Sequence, residues 1–233
     1  MPDVDPSLIK LDDDAILFVD DDIVVVDKAA GDLCDASPDP NRDHLGTALG
    51  RWAEAHDQPT TFYAAHRLDR VTSGVVVFAR HKAAATALMK QFEARTTTKR
   101  YQAVVTRPDD AWICGAEFER RSYLRHRRGL SEEVRSGGKP AHSLFAVADV
   151  AGPLALVDAS PLSGRTHQLR VHLAALDAPI LGDDRYGAGE SGRLWLHARS
   201  LTVEHPGTGQ SITIASRLRF VIDHGGPAQA GSW

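Results

Sequence analysis

The sequence Ala64-Ala-His-Arg-Leu-Asp-Arg-Val-Thr-Ser-Gly-Val-Val-Val-Phe-Ala79 joins a charged segment directly to an apolar one. The run from Gly74 to Ala79 is apolar, rich in β-branched residues and of strand length, so we predict a buried strand there. His66, Arg67 and Asp69 would then stand at the mouth of that strand. A rigid element can hold a functional site in such a position.

Asp69 is the strongest candidate in this stretch for a catalytic residue. It lies between Arg67 and Arg70, and nearby guanidinium groups lower the pKa of a carboxyl and keep it ionised. A positioned, ionised carboxylate can act as a nucleophile or as a base. The same residues are equally typical of a loop salt bridge, and the local sequence does not choose between the two interpretations.

Outward from this stretch, short strands and helices do not alternate strictly, so a doubly wound parallel sheet is not expected. The pattern predicts an α+β fold with a mixed, mostly antiparallel sheet and flanking helices. The predicted helices cover residues 44–55, 81–95 and 166–176, and the predicted strands cover two segments within 15–28 and residues 74–79, 101–106, 142–150, 154–159, 194–203 and 212–215. Residues 111–139 show no clear period and are expected to be irregular, with room for a short hairpin.

The domain organisation follows from length and composition. The 233 residues suit one catalytic-size domain. We expect an acidic leader over residues 1–20, a single catalytic domain over 21–220 and a loose Gly- and Ala-rich tail over 221–233.

Composition excludes several classes of protein. No run of 18 apolar residues is present, so no membrane partner is expected, and the acidic N-terminus lacks the apolar core of a signal peptide. Cys34 and Cys114 lie 80 positions apart, which excludes a disulfide framework and a cysteine zinc site. We therefore expect a reduced, cytoplasmic protein.

The charge is unevenly distributed. The formal net charge is −4, but residues 1–43 carry −10 and the remaining residues carry +6. The segment from Arg120 to Lys139 holds seven basic residues against Glu132 and Glu133. A basic body of this kind can bind a polyanion through phosphate contacts, although an ordinary solvated loop explains the same charges.

A second segment, Ser163-Gly-Arg-Thr-His-Gln-Leu-Arg170, precedes and enters the predicted third helix. Ser163 or Thr166 can cap that helix, and Arg165 would then stand beside unpaired backbone N–H groups that favour anions. His167 and His172 are five positions apart, which does not match a zinc pair at i and i+4. We expect no metal, and core packing or hydrogen bonding explains these histidines better.

A third segment, Lys99-Arg-Tyr101, begins an apolar strand. A tyrosine at this position most often packs against the core or an edge. Beside two basic residues it can also stack on a nucleobase.

Taken together and in this order, the three segments resemble the signature motifs of the RluA family of RNA pseudouridine synthases. His66–Gly74 resembles the family motif around the catalytic aspartate, Lys99–Tyr101 the motif with the active-site tyrosine, and Ser163–Arg170 the motif with the active-site arginine. Further agreement is found in Pro179-Ile-Leu-Gly-Asp-Asp-Arg-Tyr-Gly187, in Leu196-His-Ala198 and in His205-Pro206. The closest likeness is to short members without an S4 RNA-binding domain.

The sequence departs from the family pattern at two places. Lys28-Ala-Ala-Gly31 stands where the family usually has Lys-Pro-Ala-Gly, and Asp177-Ala-Pro179 stands where it often has Gly-His-Pro. Neither change removes a catalytic group of the motifs, so the departures concern the choice of substrate more than the chemistry.

The resemblance implies isomerisation of uridine to pseudouridine in rRNA, tRNA or both, with no cofactor or metal. Asp69 would be the nucleophile or base, acting at C1′, at C6 or on a ribose proton. Arg165 would pair with Asp69, and Tyr101 would stack on the target base. The resemblance also implies RNA contacts from six residues: His66, Arg67, Arg70, Thr72, Lys99 and Arg170.

The expected partner is RNA and not DNA, and the expected state is a monomer. One alternative is a non-catalytic RNA-binding module that retains the fold. Another is a carboxylate-based hydrolase, which would need a second carboxylate opposite Asp69. Asp183 and Asp184 are the candidates for that second group.

Overall fold

The computed structural model describes residues 8–36, 42–187, 189, 192–223 and 225–231. Its helices are α1 (Leu45–Ala55), α2 (Lys82–Ala94) and α3 (Gln168–Ala174), with a 3-10 turn at Asp13–Ala15. Its strands are β1 (Ile16–Val19), β2 (Ile23–Lys28), β3 (Tyr63–Ala64), β4 (Ser73–Ala79), β5 (Thr98–Thr106), β6 (Glu117–Arg127), β7 (Leu130–Glu133), β8 (Lys139–Ala151), β9 (Leu154–Pro161), β10 (Leu196–Glu204), β11 (Ser211–Ala215), β12 (Leu218–Asp223) and β13 (Gly226–Gly231).

These elements confirm the predicted α+β class with a mostly antiparallel sheet. The chain divides into two compact units, one formed by residues up to Thr97 with Leu201–Ser216 and the other by Thr98–Ser200 with the residues from Arg217 onward. The predicted boundaries at residues 20 and 220 do not coincide with these limits. Within the described residues, no helix is long and apolar enough to cross a membrane.

The first unit is built on the predicted apolar strand. All seven residues of β4 are buried, and β4 pairs antiparallel with β2, which pairs in turn with β1. The short strand β3 also pairs with β4, by Tyr63 opposite Ala79. A core forms where Val75 and Val77 pack with Leu88 of α2 and Leu201 of β10. The buried strand therefore supplies the rigid support that the sequence predicts for the charged turn before it.

The second unit contains a sheet in the order β5-β9-β8-β6-β7, with each neighbouring pair antiparallel. Strands β6 and β7 join through Arg128 and Gly129, whose φ angles are 52° and 79°. Two consecutive residues with positive φ form the two-residue turn that matches the twist of a hairpin. This long hairpin corrects the expectation of an irregular segment over residues 111–139.

Two other predictions about the second unit are wrong. The loose tail expected over residues 221–233 is not found in the part that the structure describes, because β12 and β13 form an antiparallel hairpin that buries Phe220; residues 224, 232 and 233 lie outside the described residues. Helix α3 begins at Gln168 rather than at residue 166, since His167 adopts a left-handed conformation with φ 56°. Its first turn is capped by no side chain, so the expected cap by Ser163 or Thr166 does not form.

Candidate active site

Asp69 lies in the turn between β3 and β4 of the first unit, half-buried, with Arg67 and Arg70 exposed beside it. The backbone N–H of Thr72 donates to the Asp69 carbonyl at 3.0 Å, which closes the turn. Arg67 forms a 3.6 Å ion pair with Asp35. Arg67 is 74% exposed and Asp35 is 39% exposed, so that pair contributes little to stability.

His66 and Thr72 serve this turn internally. His66 Nε2 accepts from the Val77 N–H at 3.1 Å, and its ring stacks on Phe92 with centroids 4.6 Å apart. Thr72 is only 2% exposed. His66 therefore holds the turn against β4 and α2, and the expected RNA contacts of His66 and Thr72 remain predictions.

Lys28 is a residue of this site to which the sequence analysis assigned no role. Its side chain is 1% exposed, and Nζ donates to the carbonyls of Ala29, Asp32 and Arg70 at 2.8, 2.8 and 2.9 Å. Burial lowers the pKa of Lys28 to about 8, against the opposing effect of nearby groups that include Asp69.

In the second unit, β5 carries Lys99 and Tyr101, both half-buried. Tyr101 lies opposite Ala159 of β9. Because the two strands are antiparallel, the start of β5 lies beside the end of β9, which leads directly to Arg165. Lys99 Nζ approaches the Ser163 carbonyl at 3.5 Å. The second and third predicted motifs are therefore brought together at one end of this sheet.

Arg165 is held in place by hydrogen bonds from its backbone and from its side chain. Its N–H donates to Gln168 Oε1 at 3.1 Å, and its Nε donates to the Pro140 carbonyl at 3.1 Å. Gln168 is 4% exposed and also donates from Nε2 to the His142 carbonyl and to Ser143 Oγ, each at 2.9 Å. The orientation of Arg165 thus depends on a buried amide rather than on a capped helix N-terminus.

Arg170 occupies a different environment from the other predicted RNA contacts. It is 2% exposed, and it donates from Nε and Nη2 to the two carboxylate oxygens of Asp183 at 2.7 and 2.6 Å. The guanidinium is therefore engaged by Asp183, and the expected RNA contact of Arg170 remains a prediction. The ion pair also removes Asp183 as the second carboxylate of a hydrolase. Asp184 is 74% exposed and lies 3.6 Å from Arg170 Nη2.

Tyr186 links the turn of Arg165 to the β6–β7 hairpin. Its hydroxyl accepts from the Ser131 N–H at 2.7 Å and lies 2.7 Å from His167 Nδ1. Ser131 Oγ donates to the Thr166 carbonyl at 2.6 Å. Three polar contacts therefore tie the hairpin to the residues that follow Arg165.

Asp20, Asp22 and His205 bring three possible metal ligands within 4.8 Å in the first unit. His205 Nδ1 accepts from the Gly207 N–H at 3.2 Å, which places the ring proton on Nε2, 2.7 Å from Asp20. His81 repeats this arrangement, accepting at Nδ1 from a backbone N–H and facing Asp22 with Nε2 at 2.9 Å. A metal ion needs a free lone pair on a ring nitrogen, but Nε2 of His205 carries a proton and Nδ1 already accepts a hydrogen bond. The three residues therefore form a hydrogen-bonded cluster rather than a metal site.

Comparison with known proteins places this geometry in a family. Residues 22–175 match the family model described as RNA pseudouridylate synthase. The chain is 36% identical over 218 residues to the dual-specificity RNA pseudouridine synthase RluA of Escherichia coli, an alignment that covers 88% of this chain and 93% of that protein. It is 33% identical over 223 residues to ribosomal large subunit pseudouridine synthase C of Yersinia pestis, covering 91% of this chain and 68% of the relative.

Solved structures agree with this assignment. Human RNA Pseudouridylate Synthase Domain Containing 1 superposes with a TM-score of 0.69 at 25% identity, covering 89% of this chain and 85% of that one. Human RNA Pseudouridylate Synthase Domain Containing 4 shares the fold, with a TM-score of 0.68 and 24% identity. The matches confirm the predicted family and enzyme class, and none favours a non-catalytic module. The chain therefore belongs to the RluA family of RNA pseudouridine synthases, enzymes that isomerise uridine in RNA to pseudouridine.

Proposed function

We propose that the enzyme modifies uridines in both ribosomal RNA and tRNA. The observation that carries this proposal is the 36% identity to a dual-specificity enzyme over 93% of that enzyme's length. A relative named for the large ribosomal subunit alone shows a slightly lower identity and a lower coverage of its own length. We further propose that the enzyme acts as a monomer in the cytoplasm and does not use DNA.

The proposed chemistry centres on Asp69, Tyr101 and Arg165. The N1–C1′ bond of the target uridine breaks, the uracil turns while it remains bound, and C5 bonds to C1′. The proton on C5 is lost to solvent and N1 gains a proton, so the reaction is a net isomerisation. Asp69 is the proposed nucleophile or base, Tyr101 the residue that stacks on the uracil, and Arg165 the third catalytic residue.

The target uridine must leave the base stack before it can react, and this costs a few kcal/mol. Arg67 is our candidate for the residue that fills the vacated space or binds a flanking phosphate, because it is exposed and forms a surface ion pair with Asp35. Arg70 is exposed on the same turn. Lys99, at the start of β5, is the candidate for an RNA contact in the second unit.

The β6–β7 hairpin is our candidate for gripping the RNA backbone. Three of its arginines already pair with glutamates: Arg120 with Glu133, Arg121 with Glu119 and Arg125 with Glu132. Arg127 and Arg128 are exposed beside and within the turn. Tyr123 is 53% exposed on the same hairpin and offers a stacking surface for an unpaired base.

A tritium-release experiment tests the activity and the role of Asp69 together. Purified wild type and Asp69→Asn are mixed with RNA that carries tritium at C5 of its uracils, in separate rRNA and tRNA pools from cells that lack this gene. We expect the wild type to release tritium from both pools and Asp69→Asn from neither. Melting temperatures of the two proteins provide the control for folding.

Two outcomes would contradict the proposal in different ways. Release from only one pool would remove the dual specificity and leave the chemistry intact. Full activity of Asp69→Asn would remove Asp69 from the reaction.

A further inference from the structure

Cys34 contacts the residue that precedes Asp69 in the chain. Its Sγ lies 3.3 Å from the backbone N of Leu68, which donates to it, and 3.5 Å from the Leu68 carbonyl, which accepts from it. Both backbone polar groups of Leu68 are therefore bound by one side chain. Cys34 is 3% exposed and Leu68 is 6% exposed, so these contacts lie in the interior of the first unit.

Lys28 contacts the residue that follows Asp69. Its Nζ donates to the Arg70 carbonyl at 2.9 Å, and the Gly31 N–H donates to the same carbonyl at 2.8 Å. The other two protons of Nζ are directed at Ala29 and Asp32, within the same short segment. Lys28 and Cys34 thus stand at the two ends of one segment, residues 28–34, and each holds one neighbour of Asp69.

We propose that Cys34 is a positioning residue for Asp69, acting through the main chain of Leu68 while Lys28 acts through the main chain of Arg70. This inference rests on the proposed role of Asp69 in the reaction. Fixing both flanking peptide groups fixes the direction in which the Asp69 side chain leaves the turn. A displacement of about 1 Å at a reacting group can cost about a hundredfold in rate.

The thiol suits this role because it both donates and accepts. A protonated sulfur has one weak donor and weak acceptor capacity, and burial raises the pKa of Cys34, which keeps the proton in place. Serine can make the same two contacts, whereas alanine and valine can make neither. Comparing cysteine, serine, alanine and valine at position 34 therefore separates the effect of the two hydrogen bonds from the effect of side-chain packing.

The test is a single-turnover measurement of tritium release, at saturating enzyme, for Cys34→Ala, Cys34→Val and Cys34→Ser. We expect Ala and Val to lower the rate constant about ten- to a hundredfold, with unchanged RNA affinity and an unchanged KM in steady state. We expect Ser to restore a rate close to that of the wild type. Cys114→Ala is the matched control, because Cys114 is exposed and donates to the Ala148 carbonyl, far along the chain from Asp69.

The outcomes separate this inference from the proposed function. A wild-type rate in Cys34→Ala and Cys34→Val, together with an inactive Asp69→Asn, overturns the positioning role and leaves Asp69 catalytic. The role is also overturned if the rate constants of the Ser, Ala and Val variants all fall in proportion to their loss of melting temperature. Packing alone would then explain the effect. An active Asp69→Asn rejects the proposed role of Asp69 itself. If Cys34→Ala does not fold, the comparison of Val with Ser decides.

Discussion

The guanidinium of Arg170 and the carboxylate of Asp183 form a bidentate ion pair, with contacts of 2.7 and 2.6 Å, in a part of the second unit where neither side chain is more than 2% exposed. The Arg170 guanidinium also lies 5.1 Å from the centre of the Tyr186 ring. Asp183 accepts further from the N–H groups of Arg185 and Tyr186. One pair therefore joins α3 to the loop that follows Gly182.

We expect Arg170→Met to destabilise the enzyme by about 3–5 kcal/mol, because it leaves the Asp183 carboxylate buried without its partner. Arg170→Lys should not restore stability, since an ammonium cannot reproduce the two parallel contacts. Urea unfolding measures both effects. Wild-type stability in Arg170→Met would show that the pair is not a structural element.

Substitution of Gln168 should affect turnover more than RNA binding. Gln168→Ala removes the acceptor for the Arg165 N–H, so we expect slower tritium release with little change in RNA affinity. Arg165→Ala itself should lower turnover by about 10²–10³-fold, as loss of a preorganised electrostatic contact does. Single-turnover kinetics and filter binding measure the two quantities. A Gln168→Ala enzyme with normal turnover would show that Arg165 is positioned by other contacts.

The β6–β7 turn predicts a change in the salt dependence of RNA binding. Replacing Arg127 by Ser and Arg128 by Asn should weaken binding uniformly across RNA sequences and reduce the slope of log K against log salt by about two. Asn accepts the positive φ of residue 128, so the hairpin should persist.

Arg95→Asn is the matched control for this pair, since Arg95 is also exposed and has a φ of 59°. Arg95 follows α2 in the first unit, and we assign it no role in RNA binding. An equal loss of affinity in the control would indicate a general effect of charge rather than a contact made by the hairpin.

Because His172 and His197 are buried, we expect the free energy of unfolding to decrease in acid. Burial lowers the pKa of each imidazole to about 4, below the ordinary value of about 6.5. As pH falls from about 6.5 to about 4, the unfolded chain binds protons that the folded chain does not, so stability is lost in this window and constant above it.

Urea unfolding between pH 7 and pH 4.5 measures this loss, which is on the order of 3 kcal/mol per histidine at its limit. His172→Gln provides the control, because an amide can replace the contacts with Ser122 and Ser143 without titrating. A midpoint near 6.5 for either imidazole, measured by NMR, would contradict the prediction.

The first unit was largely predictable because its signals are local. The apolar run of β4 and the apolar faces of α1 and α2 identified those elements, and the charged turn before β4 identified Asp69. The role of Lys28 was not predictable in this way. Its contact with the Arg70 carbonyl spans 42 positions, and nothing in the local sequence shows that a lysine will be buried against carbonyls.

The second unit was predicted less well for physical reasons. Strand β6 buries only Leu124, so no alternation of apolar residues marks it as a strand, and its turn uses Arg128 where Asn or Gly is usual. In the β12–β13 hairpin, β12 pairs with β13, a Gly- and Ala-rich strand of low intrinsic β preference. The ion pair of Arg170 was not predicted, because a charged residue in a functional motif does not reveal that its partner is Asp183.

The composition of the first unit's core has a consequence for biosynthesis. Leu201, Val203 and Ile214 pack with residues of β4 and α2, although about a hundred intervening residues belong to the other unit. A nascent chain emerges from its N-terminus at about 5–20 residues per second, so this core stays incomplete until the chain beyond Ile214 has been translated. A truncated product that ends before Leu201 would expose apolar β4 surface and become a substrate for quality-control proteases.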